Sequence, residues 1–196
     1  MKLSIVTSCH NRAKLLERVW QGLVSQSSRD FEWVIGNDGS TDNVEDVATS
    51  LALRSDFPIT FVDARKHVGK SRIDNAMIKA AKGDLVLFCD SDDYLTRDAV
   101  EAVIAAWRPG LSGVTGLATE DGGTALFDPF YQDEIEASWR DLADRPDEGT
   151  SDMTLAIRTD LLRETPFPEV DLLYPEGAMV RNLNCAGGGP TKDNSC

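Results

Sequence analysis

The chain has 196 residues, of which 41% are hydrophobic and 27% are charged, a composition typical of one soluble globular domain. Its formal net charge of −13 argues against nucleic acid as a partner, because phosphates require a basic surface. No apolar run approaches the roughly 20 residues that span a bilayer. The first residues lack the apolar core of a signal peptide, so we expect a cytoplasmic protein and leave peripheral membrane contact open. Four cysteines without a C-x-x-C pair, and only two histidines, argue against a zinc site.

Strand and helix patterns alternate over residues 1–108. Short runs rich in apolar and β-branched residues predict strands at 3–8, 31–36, 59–64 and 85–89. A helix is predicted after each strand, because apolar residues recur there at helical spacing. These positions include Leu15, Val19 and Leu23, then Val44, Ala48 and Leu51, then Ile73, Met77 and Ala80, then Val100, Ile104 and Trp107. The fourth strand is apolar without alternation, as in a strand buried on both faces. The pattern predicts an α/β fold with an open, mostly parallel sheet and helices on both faces.

The rhythm changes after Pro109, and we divide the single domain into halves at 1–108 and 109–196. The second half contains four predicted segments. They are a strand at 112–119, a surface helix at 131–144, a strand that continues into a short helix at 153–164, and a loop at 184–196.

Polar side chains follow each of the four predicted strands. Ser8 and His10 follow the first, Asn37 and Asp38 the second, Asp63 the third, and Asp90, Asp92 and Asp93 the fourth. Ligands of open parallel sheets bind at the carboxyl ends of the strands, so these groups are expected on one binding edge. The alternative is that they only form turns. This alternative is weaker for the fourth strand, because three crowded carboxylates repel one another unless they are protonated, solvated or bridged by a cation.

Three successive stretches resemble the signatures of family 2 glycosyltransferases with the GT-A fold. They are IVTSCHNR, GNDGSTDN and HVGKSRIDNAMIKAAKGDLVLFCDSDDYL, and their order and spacing resemble those of the family. The resemblance is strong over residues 3–107 and continues weakly over residues 157–183. It implies an enzyme that transfers a sugar from a nucleotide diphosphate sugar, UDP-linked, to a hydroxyl acceptor with inversion. The first half would bind the donor and the second half the acceptor, a glycan or a lipid-linked molecule.

The resemblance also implies roles for individual residues. Asp92 and Asp93 would bind Mn²⁺ or Mg²⁺, with Asp90 in a supporting position. Asp38 would accept a hydrogen bond from the nucleotide base, while Ser8 and His10 would line that base. Lys70 would reach the diphosphate, although a solvated lysine at a helix start is the alternative. Two positions depart from the family, which commonly has tyrosine at residue 10 and arginine at residue 74, where this chain has His10 and Asp74.

The acceptor side is less well defined. Inverting transfer needs a base, and Glu176 is the first candidate, Asp152 the second, and Glu120 or Asp121 the third. The segment 184–196 does not resemble the longer end of family members, so the chain is naturally short, a fragment, or altered near its end. A non-catalytic module that binds a nucleotide sugar is therefore the alternative function. A nucleotidyltransferase is disfavoured because no glycine-rich loop follows the first strand, and a receiver domain because no acidic pair does.

Overall fold

The computed structural model describes residues 1–117 and 153–169, which form one six-stranded sheet flanked by helices. The strands are β1 (Leu3–Cys9), β2 (Phe31–Asn37), β3 (Ile59–Asp63), β4 (Leu85–Phe88), β5 (Gly113–Leu117) and β6 (Met153–Arg158). The helices are α1 (Leu16–Val24), α2 (Val44–Arg54), α3 (Lys70–Ala80), α4 (Ala99–Ala106) and α5 (Thr159–Glu164). A 3-10 turn at Ala13–Leu15 leads into α1. The predicted strands and helices within these residues are confirmed to within a few residues at their ends.

The strand order in the sheet is β3-β2-β1-β4-β6-β5. The pairs β3–β2, β2–β1 and β1–β4 are parallel, so these four strands end at the same edge of the sheet. β6 runs antiparallel to both of its neighbours, β4 and β5. The strands β2 and β3 therefore lie on one side of β1, and β4 lies on the other side. The strand order reverses at β1 for this reason. The carboxyl ends of β1 and β4 at this point are where an open α/β sheet binds its ligands.

Both faces of the sheet are covered. Side chains alternate along β1, so Ile5 packs against the helices α1, α2 and α4, while Val6 faces α3 and α5. β4 is apolar without alternation because Leu85, Val86 and Leu87 are all buried between these two layers. Polar side chains within the core also bond to one another, as when Trp33 donates its indole N–H to Thr7 Oγ1 at 3.0 Å. The core thus holds the strand ends in fixed positions.

A tight turn after β2 brings a distant loop onto the same edge. Gly39 has a φ of +64°, and a Cβ at this position would lie 2.0 Å from the carbonyl carbon of Lys66. Only glycine permits so close an approach together with this backbone conformation. The loop between β3 and α3 therefore lies directly on the turn that follows β2. Gly69, with a φ of 92°, ends this loop at the start of α3.

Several predictions lie outside the described residues. These are the surface helix at 131–144 and the loop at 184–196. The division of the domain at residue 108 stays a prediction, although β5 and β6 extend the sheet that the first four strands begin. Within 1–117 and 153–169, every helix is too short or too polar to cross a bilayer.

Candidate functional site

The carboxyl edge of the parallel strands carries two groups of polar side chains. One group surrounds Asp38 after β2, and the other surrounds the aspartates after β4. The loop after β1 contributes to both, because His10 contacts Asp38 and Arg12 contacts Asp92. The half-buried Ser8 lies in the same edge, opposite Gly36 in the register of β1 and β2. The described residues thus bring every predicted site residue up to Asp93 to this edge.

Asp38 is a buried carboxylate that the neighbouring loop holds in place. Its side chain is 5% exposed. Oδ1 accepts hydrogen bonds from the backbone N–H groups of Val68 at 2.6 Å and Gly69 at 3.2 Å. Oδ2 lies 2.9 Å from His67 Nδ1 and 3.1 Å from the Gly69 nitrogen. The loop before α3 thus holds Oδ1 by two backbone N–H groups, while Oδ2 is shared between His67 and the Gly69 N–H.

Two histidines lie over Asp38. His10 Nδ1 is 2.7 Å from the backbone oxygen of Asp38, and its ring centroid is 4.3 Å from that of His67. The His67 side chain is 62% exposed, so its contact with Asp38 is open to solvent. His10 was predicted to line this position, whereas the part of His67 was not foreseen. The carboxylate and the two rings together form a small polar surface between the ends of β1 and β2.

The aspartates after β4 are exposed and close together. One carboxylate oxygen from each of Asp90, Asp92 and Asp93 lies within 4.8 Å of the others. Two cations face this cluster: Arg12 Nη1 is 3.1 Å from Asp92 Oδ2, and Lys70 Nζ is 3.1 Å from Asp90 Oδ1. Carboxylate oxygens at such spacing match the ligands that a hard dication prefers. The three carboxylates therefore fit a divalent cation, with Asp92 paired with Arg12 and Asp90 paired with Lys70.

Cys89 lies next to this cluster but is not suited to bind the cation. Burial, and then the negative charges of Asp93, Asp90 and Asp92, raise the pKa of its thiol to about 12. The thiol therefore stays protonated near neutral pH, and a protonated thiol is a poor metal ligand.

Lys70 is the first residue of α3 and connects the site to the core. Its Nζ lies 3.1 Å from Asp90 and 3.2 Å from Asp74, one turn further along the helix. Asp74 is only 1% exposed, whereas Lys70 is 35% exposed. At the position where the family commonly has arginine, this chain therefore has a buried anion that pairs with Lys70. The i, i+4 spacing of Lys70 and Asp74 was the sequence signal for this pair.

The chain that follows α5 is also anchored to α3. The buried Asn75 side chain donates to the Phe167 carbonyl at 3.0 Å and accepts from the Phe167 N–H at 2.9 Å. Arg72 donates to the carbonyl of Glu169 at 2.6 Å. The candidate bases Glu176, Asp152, Glu120 and Asp121 all lie outside the described residues. Their roles remain predictions.

The site thus combines carboxylates, which accept hydrogen bonds, with the positive charges of Arg12 and Lys70 at the edge where the strand order reverses. Nucleotide-binding proteins with an open α/β sheet bind their ligands at this position. The sequence model of glycosyl transferase family 2 matches residues 4–157. The chain therefore belongs to glycosyl transferase family 2, which confirms the resemblance.

Two curated relatives illustrate the extent of the similarity. An uncharacterized glycosyltransferase of Nostoc sp. is 32% identical over 117 residues, which are 60% of this chain and 35% of the relative. The poly-beta-1,6-N-acetyl-D-glucosamine synthase of Staphylococcus aureus is 29% identical over 116 residues, which are 58% of this chain and 28% of the relative. The chain thus spans about a third of the length of these relatives.

Solved structures confirm the fold. The chain is similar to the crystal structure of S. aureus TarS 1-349 in complex with UDP, with a TM-score of 0.68 and 20% identity over 93% of this chain and 55% of TarS 1-349. It is also similar to the mannosyltransferase PcManGT from Pyrobaculum calidifontis in complex with GDP-Man and Mn²⁺. The TM-score is 0.71, with 20% identity over 95% of this chain and 52% of that chain. The α/β sheet is thus the GT-A fold that the sequence predicted.

Proposed function

We propose that this protein transfers a sugar from a UDP-linked donor to a hydroxyl acceptor, with inversion at the anomeric carbon and with the help of Mn²⁺ or Mg²⁺. The observation that carries the proposal is the convergence of Asp38, Lys70 and the three aspartates after β4 on one edge of the sheet. Membership of the family supports it, as do the UDP complex of TarS and the GDP-Man and Mn²⁺ complex of PcManGT.

The aspartates would hold the cation. Asp92 and Asp93 would provide its main carboxylate ligands, and Asp90 would support them while it stays paired with Lys70. When bound, a dication neutralises the charge that builds on the diphosphate as it leaves the sugar. Lys70 and Arg12 add two positive charges beside the same cluster. Arg12 would exchange its contact with Asp92 for a phosphate oxygen, because a guanidinium binds either anion well.

Asp38 would recognise the nucleotide base. Its Oδ1 is held by the loop before α3, which leaves Oδ2 to accept the N–H on the edge of a uracil ring. His67 lies on that oxygen, so a base that binds there displaces the His67 contact. Ser8 and His10 would line the ring on the β1 side. An acceptor of this kind serves guanine as well as uracil, so direct comparison of nucleotides has to decide between them.

Inversion requires a single displacement. The acceptor oxygen forms a bond to the anomeric carbon while the bond from that carbon to the diphosphate oxygen breaks, and the acceptor proton passes to a carboxylate. Glu176 is our first candidate for this base and Asp152 the second. Both assignments rest on the sequence alone.

Calorimetric titration of the full chain with UDP, GDP, CDP and ADP, with and without Mn²⁺, tests the proposal. We expect UDP to bind most tightly and to require the cation. Asp92→Asn combined with Asp93→Asn should weaken UDP binding at least about tenfold, equivalent to 1.4 kcal/mol.

Asp30→Asn with Asp56→Asn is the matched control. It removes the same two charges from exposed positions that precede β2 and β3, at the opposite edge of the sheet. This control should bind UDP like the wild type. The metal site would be contradicted if the wild type and the two double variants bound UDP with equal affinity and Mn²⁺ did not change that affinity. Tight UDP binding without any transfer would favour a non-catalytic binding module.

A further inference from the structure

We propose that His10, Asp38 and His67 form a second cation site, selective for a dication of intermediate softness such as Zn²⁺, and that its occupancy excludes the nucleotide base. One ring nitrogen of each histidine and one oxygen of Asp38 lie within 4.8 Å of one another. The three residues come from the loop after β1, the turn after β2 and the loop before α3. The second part of the proposal rests on the proposed function of Asp38.

The spacing of the donor atoms suits a small tetrahedral ion. Zinc binds imidazole nitrogen and carboxylate oxygen at about 2.0–2.2 Å, so two of its ligands lie roughly 3.3 Å apart. His67 Nδ1 and Asp38 Oδ2 are 2.9 Å apart, and the two rings are in contact at a tilt of 42°. Both histidines are exposed, so small rotations of their rings open the space for an ion without disturbing the core.

The surroundings prepare the ligands for binding. A backbone oxygen can only accept, so the 2.7 Å contact means that His10 Nδ1 carries the proton and Nε2 carries the lone pair. Histidine ligands of metals commonly donate the other ring N–H to a carbonyl in this way. The two backbone N–H groups on Asp38 Oδ1 orient its other oxygen. Binding at His10 Nε2 replaces a 3.1 Å contact with the side-chain amide of Asn11.

The two clusters at this edge differ in the cations that they select. Imidazole favours zinc, copper and nickel, whereas an all-carboxylate cluster favours magnesium, calcium and manganese. The sequence argued against zinc because its cysteines form no C-x-x-C pair and it has only two histidines, which are far apart along the chain. The fold brings them together because Gly39 lets the loop that contains His67 lie on the turn that contains Asp38.

Occupancy has a consequence for the nucleotide. A cation that binds Asp38 Oδ2 occupies the oxygen to which the base N–H would donate. It also fixes the two rings over this carboxylate. Zinc and UDP are therefore expected to compete, whereas Mn²⁺ at the aspartates and UDP are expected to support each other.

Spectroscopic titration of the full, metal-free chain tests the site. His10 and His67 are the only histidines in the chain, so histidine-selective ¹⁵N NMR reports on this site alone. We expect one equivalent of Zn²⁺ to shift the ring nitrogens of both histidines, and Co²⁺ to produce a tetrahedral absorption spectrum. His67→Ala and His10→Ala should each weaken Co²⁺ binding at least about tenfold, the loss typical of impaired metal sites.

Asp92→Asn with Asp93→Asn is the control and should leave the Co²⁺ spectrum unchanged. The proposal is overturned if neither histidine responds to Zn²⁺, or if Co²⁺ binds His67→Ala as tightly as the wild type. Competition is then measured by titrating UDP with and without Zn²⁺. Zn²⁺ should reduce UDP affinity about tenfold in the wild type and not in His67→Ala. If the wild type binds UDP equally well with and without Zn²⁺, the proposed competition between the cation and the nucleotide base is overturned. If UDP fails to bind in any condition, the proposed function fails while the NMR result still decides the cation site.

Discussion

Lys70 lies between an exposed carboxylate, Asp90, and a buried one, Asp74. Substitution of Lys70 by methionine keeps most of the side-chain volume but removes the positive charge. The Asp74 carboxylate, 1% exposed, then loses a cation at 3.2 Å. Breaking a buried pair by removing one partner costs about 3–5 kcal/mol, and we expect about 3 kcal/mol because Lys70 is one-third exposed.

Urea unfolding of the wild type, Lys70→Met, Asp74→Asn and the double variant measures this coupling. The double variant should be more stable than Lys70→Met, because it no longer buries a carboxylate that has lost this cation. Lys79→Met is the matched control, since Lys79 is an exposed lysine of the same helix, and we expect a change within about 0.5 kcal/mol. If the free energy of unfolding of Lys70→Met also differs from that of the wild type by less than about 0.5 kcal/mol, the charge coupling between Lys70 and Asp74 is refuted.

Three further changes test other parts of the account. Gly39→Ala should lower the free energy of unfolding by at least about 2 kcal/mol, because the residue has a φ of +64° and its Cβ would clash with the backbone of the loop before α3. Gly110 also has a positive φ, but a Cβ there would meet no atom within 4 Å, so Gly110→Ala shows the conformational cost alone. An equal loss of unfolding free energy in both variants would exclude the clash at Gly39. Asn75→Ala should cost about 2–3 kcal/mol in urea unfolding, because it leaves the backbone N–H and C=O of Phe167 without their buried partner, and a smaller loss than 1 kcal/mol would contradict this. The raised pKa of Cys89 means that the folded protein keeps the thiol proton while the unfolded chain releases it above pH 9. Stability from this group is therefore complete below pH 9 and declines toward pH 12, and Cys89→Ala should flatten the decline by up to about 1.4 kcal/mol per pH unit.

The sheet was predictable because its strands carry their own signals. The unbroken apolar run of β4 and the β-branched run of β1 require burial on both faces, and glycine and polar turns bound them. The aspartates after β4 were also recognisable from the local sequence, because residues that are neighbours in the sequence are neighbours in space in any fold. Their clustering within 4.8 Å also depends on the turn in which the Asp93 N–H donates to the Asp90 carbonyl at 3.0 Å.

The contacts between loops were not predictable. His67 approaches Asp38 because of the backbone approach at Gly39, and no periodicity in the sequence indicates it. The ion pair of Arg12 with Asp92 likewise depends on the relative positions of β1 and β4. Lys70 was foreseen as a phosphate ligand, whereas its pair with Asp74 was not, although the i, i+4 spacing indicates it; that Asp74 is buried follows only from the packing of α3. The residues beyond Glu169, including Glu176, carry predictions that rest on resemblance alone.

The most direct test of the central claim is the release of UDP from UDP-sugar donors by the full chain, measured with Mn²⁺ and a panel of hydroxyl acceptors. We predict release that requires Mn²⁺ and an acceptor, that yields a product of inverted configuration, and that persists in Asp30→Asn with Asp56→Asn. It should disappear in Asp92→Asn with Asp93→Asn, because the diphosphate then loses the ligands of its cation. Release that continues unchanged in this double variant, or UDP binding without release from any donor, would contradict the account.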